Sequence, residues 1–367
     1  MSSIDVPRPS WRSRLLRYAL IILYCLAILL AFDFLYSTFI FQKDPSARVA
    51  DARYSHGLKP NFAGWDTWGP ARYRLYTNSL GFRDFAVREI PAKPAGKRVI
   101  LIGDSFAEAL GLEFEESFAG LLSRAGQARD DKIEFLDAGV LSYSPVIYYR
   151  KIKYLLDAGV QFDEVVVFSD LSDVQDEAIG YFCIDEHPEY RRYCDPAPVG
   201  AARKRLADYF VVTDSSLRLI RLRFYSLIGQ DKRFLRKYPR AAWTIPGVDV
   251  GNRYAPLGVE GGIERSLKNM QTLADLLRAR GIALSVVVYP WPTQLAHDDR
   301  ESRQVKIWRE FCAKNCKAFV DLFPALFAQK DAHPDWYQRL FIDGDFHFNA
   351  AGNRLIYEEV VKQLVPR

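Results

Sequence analysis

Histidine and cysteine are scarce in this chain, five of each in 367 residues. The histidines stand at positions 56, 187, 297, 333 and 347, never close together, so no histidine-rich metal centre can be drawn. Apart from Cys25, the cysteines fall as two local pairs, Cys183 with Cys194 and Cys312 with Cys316. Neither pair has the two-residue spacing typical of zinc ligands. An even set in local pairs suits disulfides of an oxidising compartment, while Cys312 and Cys316 also suit a reduced i, i+4 pair on a helix. Internal repeats and low-complexity tracts are absent, which removes repeat architectures from consideration. No metal and no cofactor is expected.

Long apolar runs are also few. The one that stands out is "YALIILYCLAILLAFDFLYSTFIF", residues 18–41. At ~1.5 Å per residue it reaches roughly 36 Å as a helix, enough to cross a bilayer. A cleavable signal sequence usually has an apolar region of about 7–15 residues followed by small residues. Here the run is longer and ends in Phe39, Ile40, Phe41 and Gln42, so a retained anchor is the preferred reading. Residues 1–17 carry four arginines against Asp5 alone, which favours a cytoplasmic tail, although Lys43, Arg48 and Arg53 on the far side narrow the bias. The expectation is a single-pass protein of the inner membrane whose main domain lies in the periplasm. Asp33 is the awkward residue, since an acid in lipid is expensive. It reads best as lying at the outer interface. A domain tethered in this way is not expected to meet nucleic acid.

Residues 42–97 lack a clear period and read as an extended lead-in segment with turns. From 98 onward the pattern changes. "RVILIG", "KIEFLDAG", "EVVVFSD" and "IALSVVVYP" are short apolar strands, separated by helical patterns near 114–125, 145–157 and 263–280, with a last helix near 349–364. Continuous apolar strands alternating with amphipathic helices indicate a parallel sheet covered on both faces, a three-layer α/β domain over 98–367. The alternation lapses over 176–260, read as a basic insert. Between 191 and 240 it holds 13 Lys and Arg against 4 Asp and Glu. Within it "LRLIRLRFYSLI" resembles a basic amphipathic helix, either a solvated face or a surface for anionic glycan or lipid headgroups.

Ligands of open parallel sheets bind beyond the carboxyl ends of the strands. Gly103-Asp104-Ser105 sits at such an end. Gly103 permits a tight turn, and Ser105 is expected to open a helix whose free N–H groups favour negative charge. A serine there is either a helix cap or a nucleophile. A nucleophile needs a base. His347 lies in "FIDGDFHFNAAGN", two residues after Asp345, where the carboxylate can orient the imidazole.

These blocks resemble the SGNH, or GDSL-type, hydrolases, a flavodoxin-like three-layer fold. The resemblance covers 98–364 outside the insert and reaches back to "NSLGFRD" at 78–84. It implies an acyl-transfer triad of Ser105, Asp345 and His347, with Asp343 as the second candidate to orient the base. It implies an oxyanion hole from the backbone N–H groups of Ser105 and Gly139. In the third block Ser172 stands where the family has asparagine, leaving a shorter donor. Trp291 and Gln294, after the fourth strand, are expected to border the cleft as candidates for substrate contact, with ordinary packing as the other reading and the preferred one for Trp291. The membrane-anchored branch of the family further implies an esterase for acetyl groups on a cell-envelope or extracellular polysaccharide. Alternatives are an O-acyltransferase working with a multispanning acyltransferase or polysaccharide-assembly machinery, and a non-catalytic glycan-binding subunit on the same scaffold.

Overall fold

A computed structural model describes residues 11–41, 46–69, 71–181, 209–227 and 239–364. The chain divides into two compact units, residues 1–43 with 196–231, and residues 44–195 with 232–367. Cys183 and Cys194 lie outside the described residues.

In the smaller unit, helix α1 (Trp11–Leu35) runs into a π-helical turn at Tyr36–Ile40. Together they are long and apolar enough to cross a membrane. Apart from half-buried Leu30, the leucines and isoleucines of α1 stand outward, exposed along its length, and Asp33 is its buried residue.

The larger unit is built on one sheet. Its strands are β1 (Arg48–Asp51), β2 (Ser55–Leu58), β3 (Ala63–Trp68), β4 (Ala71–Thr77), β5 (Arg83–Asp84), β6 (Arg98–Gly103), β7 (Glu134–Asp137), β8 (Glu164–Ser169), β9 (Ala283–Val288) and β10 (Ala318–Asp321). β1 and β2 form a separate hairpin. The remaining eight are ordered β10-β9-β8-β6-β7-β5-β4-β3. From β7 to β10 every pairing is parallel, in the order 2-1-3-4-5 of a doubly wound flavodoxin-like core. β6, β8 and β9 read as unbroken apolar runs because helices cover both faces. This is the three-layer α/β layout with a parallel core expected from the alternation of strands and helices.

The helices of the described chain are α2 (Phe118–Gln127), α3 (Pro145–Asp157), α4 (Asp173–Ile179), α5 (Val211–Leu227), α6 (Gly258–Arg278), α7 (Pro292–Ala296), α8 (Arg303–Asn315), α9 (Phe323–Ala332), α10 (Trp336–Leu340) and α11 (Ala350–Leu364). Two expectations change. The lead-in segment is no loose tether: β3, β4 and β5 extend the main sheet antiparallel beyond β7. The insert 176–260 is not one body either. Its first residues are part of α4, which packs on α6, and its middle belongs with α1.

Candidate active site

β6 lies at the point where the strand order reverses, with β7 on one side and β8 on the other. That is where doubly wound sheets hold their ligands. Gly103 ends the strand. A Cβ there would stand 2.9 Å from the Phe168 carbonyl oxygen on the neighbouring strand, so only glycine fits. Ser105 follows, but no regular helix opens at it. One helical turn forms, with Glu108 N–H donating to Asp104 O at 3.0 Å, and then Ala109 and Gly111 take positive φ. The buried Arg83 guanidinium ends the turn by donating to the carbonyls of Glu108, Ala109 and Leu112. The anion-favouring helix terminus expected at Ser105 is therefore replaced by a pinned turn.

The structure brings Ser105, His347 and Asp345 into line. Ser105 Oγ is 2.8 Å from His347 Nε2, and His347 Nδ1 is 2.6 Å from Asp345 Oδ1. With Nδ1–H donating to the carboxylate, Nε2 is left to accept the serine proton. The Asp-x-His spacing works because the chain turns on itself. Asp345 Oδ1 also accepts from its neighbours' amides, Phe346 N at 2.6 Å and His347 N at 3.0 Å. Such an Asx turn puts the carboxylate beside the side chain two residues on. The loop is held by Tyr337, whose hydroxyl accepts from Asp345 N at 2.9 Å. Asp343, the second candidate, points to solvent as an exposed residue. Burial pushes the Asp345 carboxyl upward, yet the hydrogen bonds and charge of His347, with help from Trp68, hold it below the usual carboxylate range.

Trp68, at the end of β3, was not singled out in the sequence. Its indole Nε1 donates to Asp345 Oδ2 at 2.7 Å, and its ring stands edge-on to the His347 ring at 5.0 Å. Arg48 is a second such residue. It pairs with Asp66 at 2.6 Å and with buried Glu108, and Glu108 Oε2 accepts from Leu141 N at 2.7 Å. The lead-in segment thus ties the serine turn to the loop after β7. The sequence signal for Trp68 was faint, an aromatic and basic alternation across "WDTWGPARYRLYT", and nothing around Arg48 marked it.

The oxyanion donors are placed differently from expectation. The Gly139 N–H donates to Asp137 Oδ1 at 3.0 Å. Burial pushes the Asp137 carboxyl well up, against the pull of the Gly139 amide and of Arg83. Gly139 is sterically required, since a Cβ would lie 2.5 Å from Ala107 Cβ. Ser172 is buried, and its N–H donates to Asp170 Oδ1 at 2.6 Å. Its amide is thus taken up by that carboxyl, and the oxyanion role expected of Ser172 falls to the hydroxyl alone. Asp104, beside the nucleophile, is raised by burial and then by the nearby Asp170. Asp170 is raised by burial too.

Trp291 and Gln294 are not at the surface of a cleft. Trp291 is 1% exposed and stacks on Phe346 with centroids 4.5 Å apart, while its Nε1 donates to Asp170. Gln294 is fully buried, accepting from Trp291 N at 3.0 Å and donating to Ser302 Oγ at 3.0 Å. Both residues support the site from below, because their polar atoms are already used in the core. Among the described residues no cluster of His, Cys, Asp and Glu has a metal-holding arrangement.

No protein-family model and no curated protein matches the chain. Solved structures similar to it include a psychrotrophic esterase from Pseudoalteromonas sp., at 11% identity over 73% of this chain and 96% of that one, TM-score 0.40. An acetyl xylan esterase matches at 15% identity over 72% and 98%, TM-score 0.40. An acetylxylan esterase from Geobacillus stearothermophilus, a catalytic mutant, matches at 10% identity over 76% and 98%, TM-score 0.42. A lipolytic G-D-S-L family protein from Veillonella parvula matches at 11% over 73% and 97%, TM-score 0.41. At such low identity and TM-score these matches carry nothing of their substrates to this chain, whose doubly wound α/β character rests on its own strand order.

Proposed function

We propose that this chain is an SGNH-type serine esterase that removes acyl groups, foremost acetyl, from a cell-envelope polysaccharide. The observation that carries the reading is the chain of contacts Ser105–His347–Asp345, at 2.8 and 2.6 Å. His347 takes the Ser105 proton as the oxygen attacks the ester carbonyl, and the imidazolium formed is stabilised by Asp345. Collapse of the tetrahedral intermediate breaks the bond to the sugar oxygen, which takes the proton from His347 and leaves as a hydroxyl. Water then repeats the sequence on the acyl-enzyme and releases the acid. The oxyanion draws on the Ser105 N–H and on that of Gly139. The upward push of burial on Asp137 favours its neutral form, a weaker acceptor than a developing oxyanion, and a charge-assisted hydrogen bond is roughly twice as strong, so in this proposal the Gly139 amide transfers to the charge.

Anchorage of the enzyme in the inner membrane by α1, with the catalytic domain in the periplasm, belongs to the same proposal. The exposed apolar length of α1 supports it, and so does the Cys312–Cys316 disulfide, which suits an oxidising compartment. The test uses the full chain in detergent with 4-nitrophenyl acetate. Ser105→Ala is expected to lower kcat/KM by at least about 10³-fold. Equal rates from both forms would sink the enzyme reading. Acetylated oligosaccharide, with acetate followed by mass spectrometry, then reads the polysaccharide step, and an added bare acceptor separates hydrolysis from transfer. A reporter fused after residue 367 reads the orientation.

A further inference from the structure

An acid in an apolar helix calls for a partner. Asp33, buried in α1, has one on another segment. Its carboxylate accepts from Val212 N at 3.0 Å and Thr213 N at 2.7 Å, the first amides of α5, and from Ser37 Oγ at 2.9 Å. Ser37 Oγ in turn accepts from Val211 N at 3.0 Å. Two side chains of the apolar helix therefore cap the N-terminus of α5, satisfying amides a helix cannot satisfy itself. The carboxylate also meets the positive end of the α5 dipole.

The depth of this junction follows from length. Asp33 stands roughly 24 Å along the helix from Arg17, against a hydrocarbon core of about 30 Å. Aromatic side chains gather at the same level: Phe32, Tyr36 and Phe41 in sequence with Asp33, and Tyr209 and Phe210 against Phe34, each at 6.1 Å. Such a belt marks a membrane–water interface. α5 starts there. It exposes Leu217, Ile220 and Phe224, at 61%, 64% and 56%, which share one helix face, and Leu219 at 60%. Arg221 and Arg223 are interleaved with them and exposed. Exposed apolar side chains continuous with an exposed apolar helix, set among guanidinium groups, suit the headgroup boundary of a bilayer with anionic phospholipids.

The geometry points to α5 as an interfacial helix: held at the exit of α1 by Asp33 and Ser37, it lies in the outer boundary of the same bilayer, with Leu217, Ile220 and Phe224 among acyl chains. This rests on α1 being a membrane anchor, part of the proposal above. The occupant is lipid rather than protein because the face emerges within the aromatic belt and carries arginines beside its apolar groups.

The test places the photoreactive amino acid p-benzoylphenylalanine singly at positions 217, 220 and 224 of the full chain, at 215 on the opposite face, and at 22 within α1. Isolated membranes are irradiated and the adducts read by mass spectrometry. Phospholipid adducts at 217, 220 and 224, at least about fivefold above position 215, are expected, together with adducts at 22. Asp33→Ala is expected to lower the α5 adducts about fivefold while leaving position 22 unchanged. Lipid adducts at 22 but none on α5 would overturn the inference and leave the anchor standing. Crosslinks from α5 to glycan, to another protein or to a second copy of the chain would overturn it likewise. Absence of lipid adducts at 22 would remove the anchor, and the inference with it.

Discussion

Trp68 donates its indole N–H to the Asp345 carboxylate across 277 residues of sequence, at 2.7 Å. The hydrogen bond falls on Oδ2, the oxygen that His347 does not use. Trp68 is thus a positioning residue, fixing the carboxylate that fixes the base. Such outer partners hold a reactive group in its rotamer and tautomer.

Replacing Trp68 by Phe keeps a ring against His347 and removes the donor. One of the hydrogen bonds that hold Asp345 below the usual carboxylate range is then lost, so its pKa rises. The acid limb of kcat/KM against pH is expected to move to higher pH, with kcat down about tenfold at neutral pH. A lower rate with an unmoved pH profile would show that Trp68 only fills space.

Ser172→Ala separates two roles for this residue. It is buried, and its amide is committed to Asp170 in the structure. The expected result is a kcat within about threefold of the parent and a loss of about 1 kcal/mol in urea unfolding. A fall of about 10²-fold or more in kcat would instead identify it as an oxyanion donor.

The Gly139 amide can be tested through its present acceptor. Asp137→Asn retains a neutral oxygen of the same shape, so kcat is expected to stay within about threefold between pH 6 and 8. A carboxylate ionised in that range would compete for the amide as a charged acceptor, and its removal would raise kcat well beyond that margin.

Much of this site was legible in the sequence because its chemistry is local. Ser105 ends an apolar run that a strand covered on both faces must show, and Asp345 with His347 lie two residues apart in a single turn. The parallel strands at 98–103 and 164–169 were legible for the same reason. β3 and β4 were not. β3 is the half-buried edge strand and β4 lies beside it, and their exposed positions hold Ala63, Trp65, Thr67, Arg72 and Arg74, so no clean apolar and polar alternation marks them. Helices α8 and α9 and the four-residue β10 escaped notice too. Arg83 was hidden in another way. A buried guanidinium that holds three carbonyls is a long-range solution to a turn interrupted at Ala109 and Gly111, and nothing in "NSLGFRD" states which turn it serves. Trp291 and Gln294 followed a strand end, as substrate-touching residues often do, but their polar atoms were already engaged in the core.

Arg83→Met tests that long-range solution. It removes the donors from the carbonyls of Glu108, Ala109 and Leu112 while keeping an apolar stem. Each buried acceptor left bare costs about 1–3 kcal/mol, so a loss of at least about 3 kcal/mol in denaturant unfolding is expected. The turn bearing Ser105 loosens with it, and kcat is expected to fall more than KM changes. Unchanged stability would mean that the three carbonyls find other donors.

Asp176 gives the stability a pH dependence whose sign can be worked out. Burial pushes its carboxyl up to about 7, even though the Arg240 guanidinium, 3.0 Å away, pulls the other way. In the unfolded chain an aspartate titrates near 3.9. The folded state therefore binds a proton that the unfolded state has released throughout the interval between these values. By linkage, the stabilisation from the neutral acid is complete below about 4, declines as pH rises, and is gone once pH passes about 7. Asp176→Asn has no proton to lose. Thermal melts of the two proteins are expected to lie closest at pH 4, with the difference shifting in favour of the Asn variant up to pH 7 and holding steady above it. A difference that stays constant from pH 4 to 8 would show that Asp176 is ionised in the fold and stabilised by Arg240.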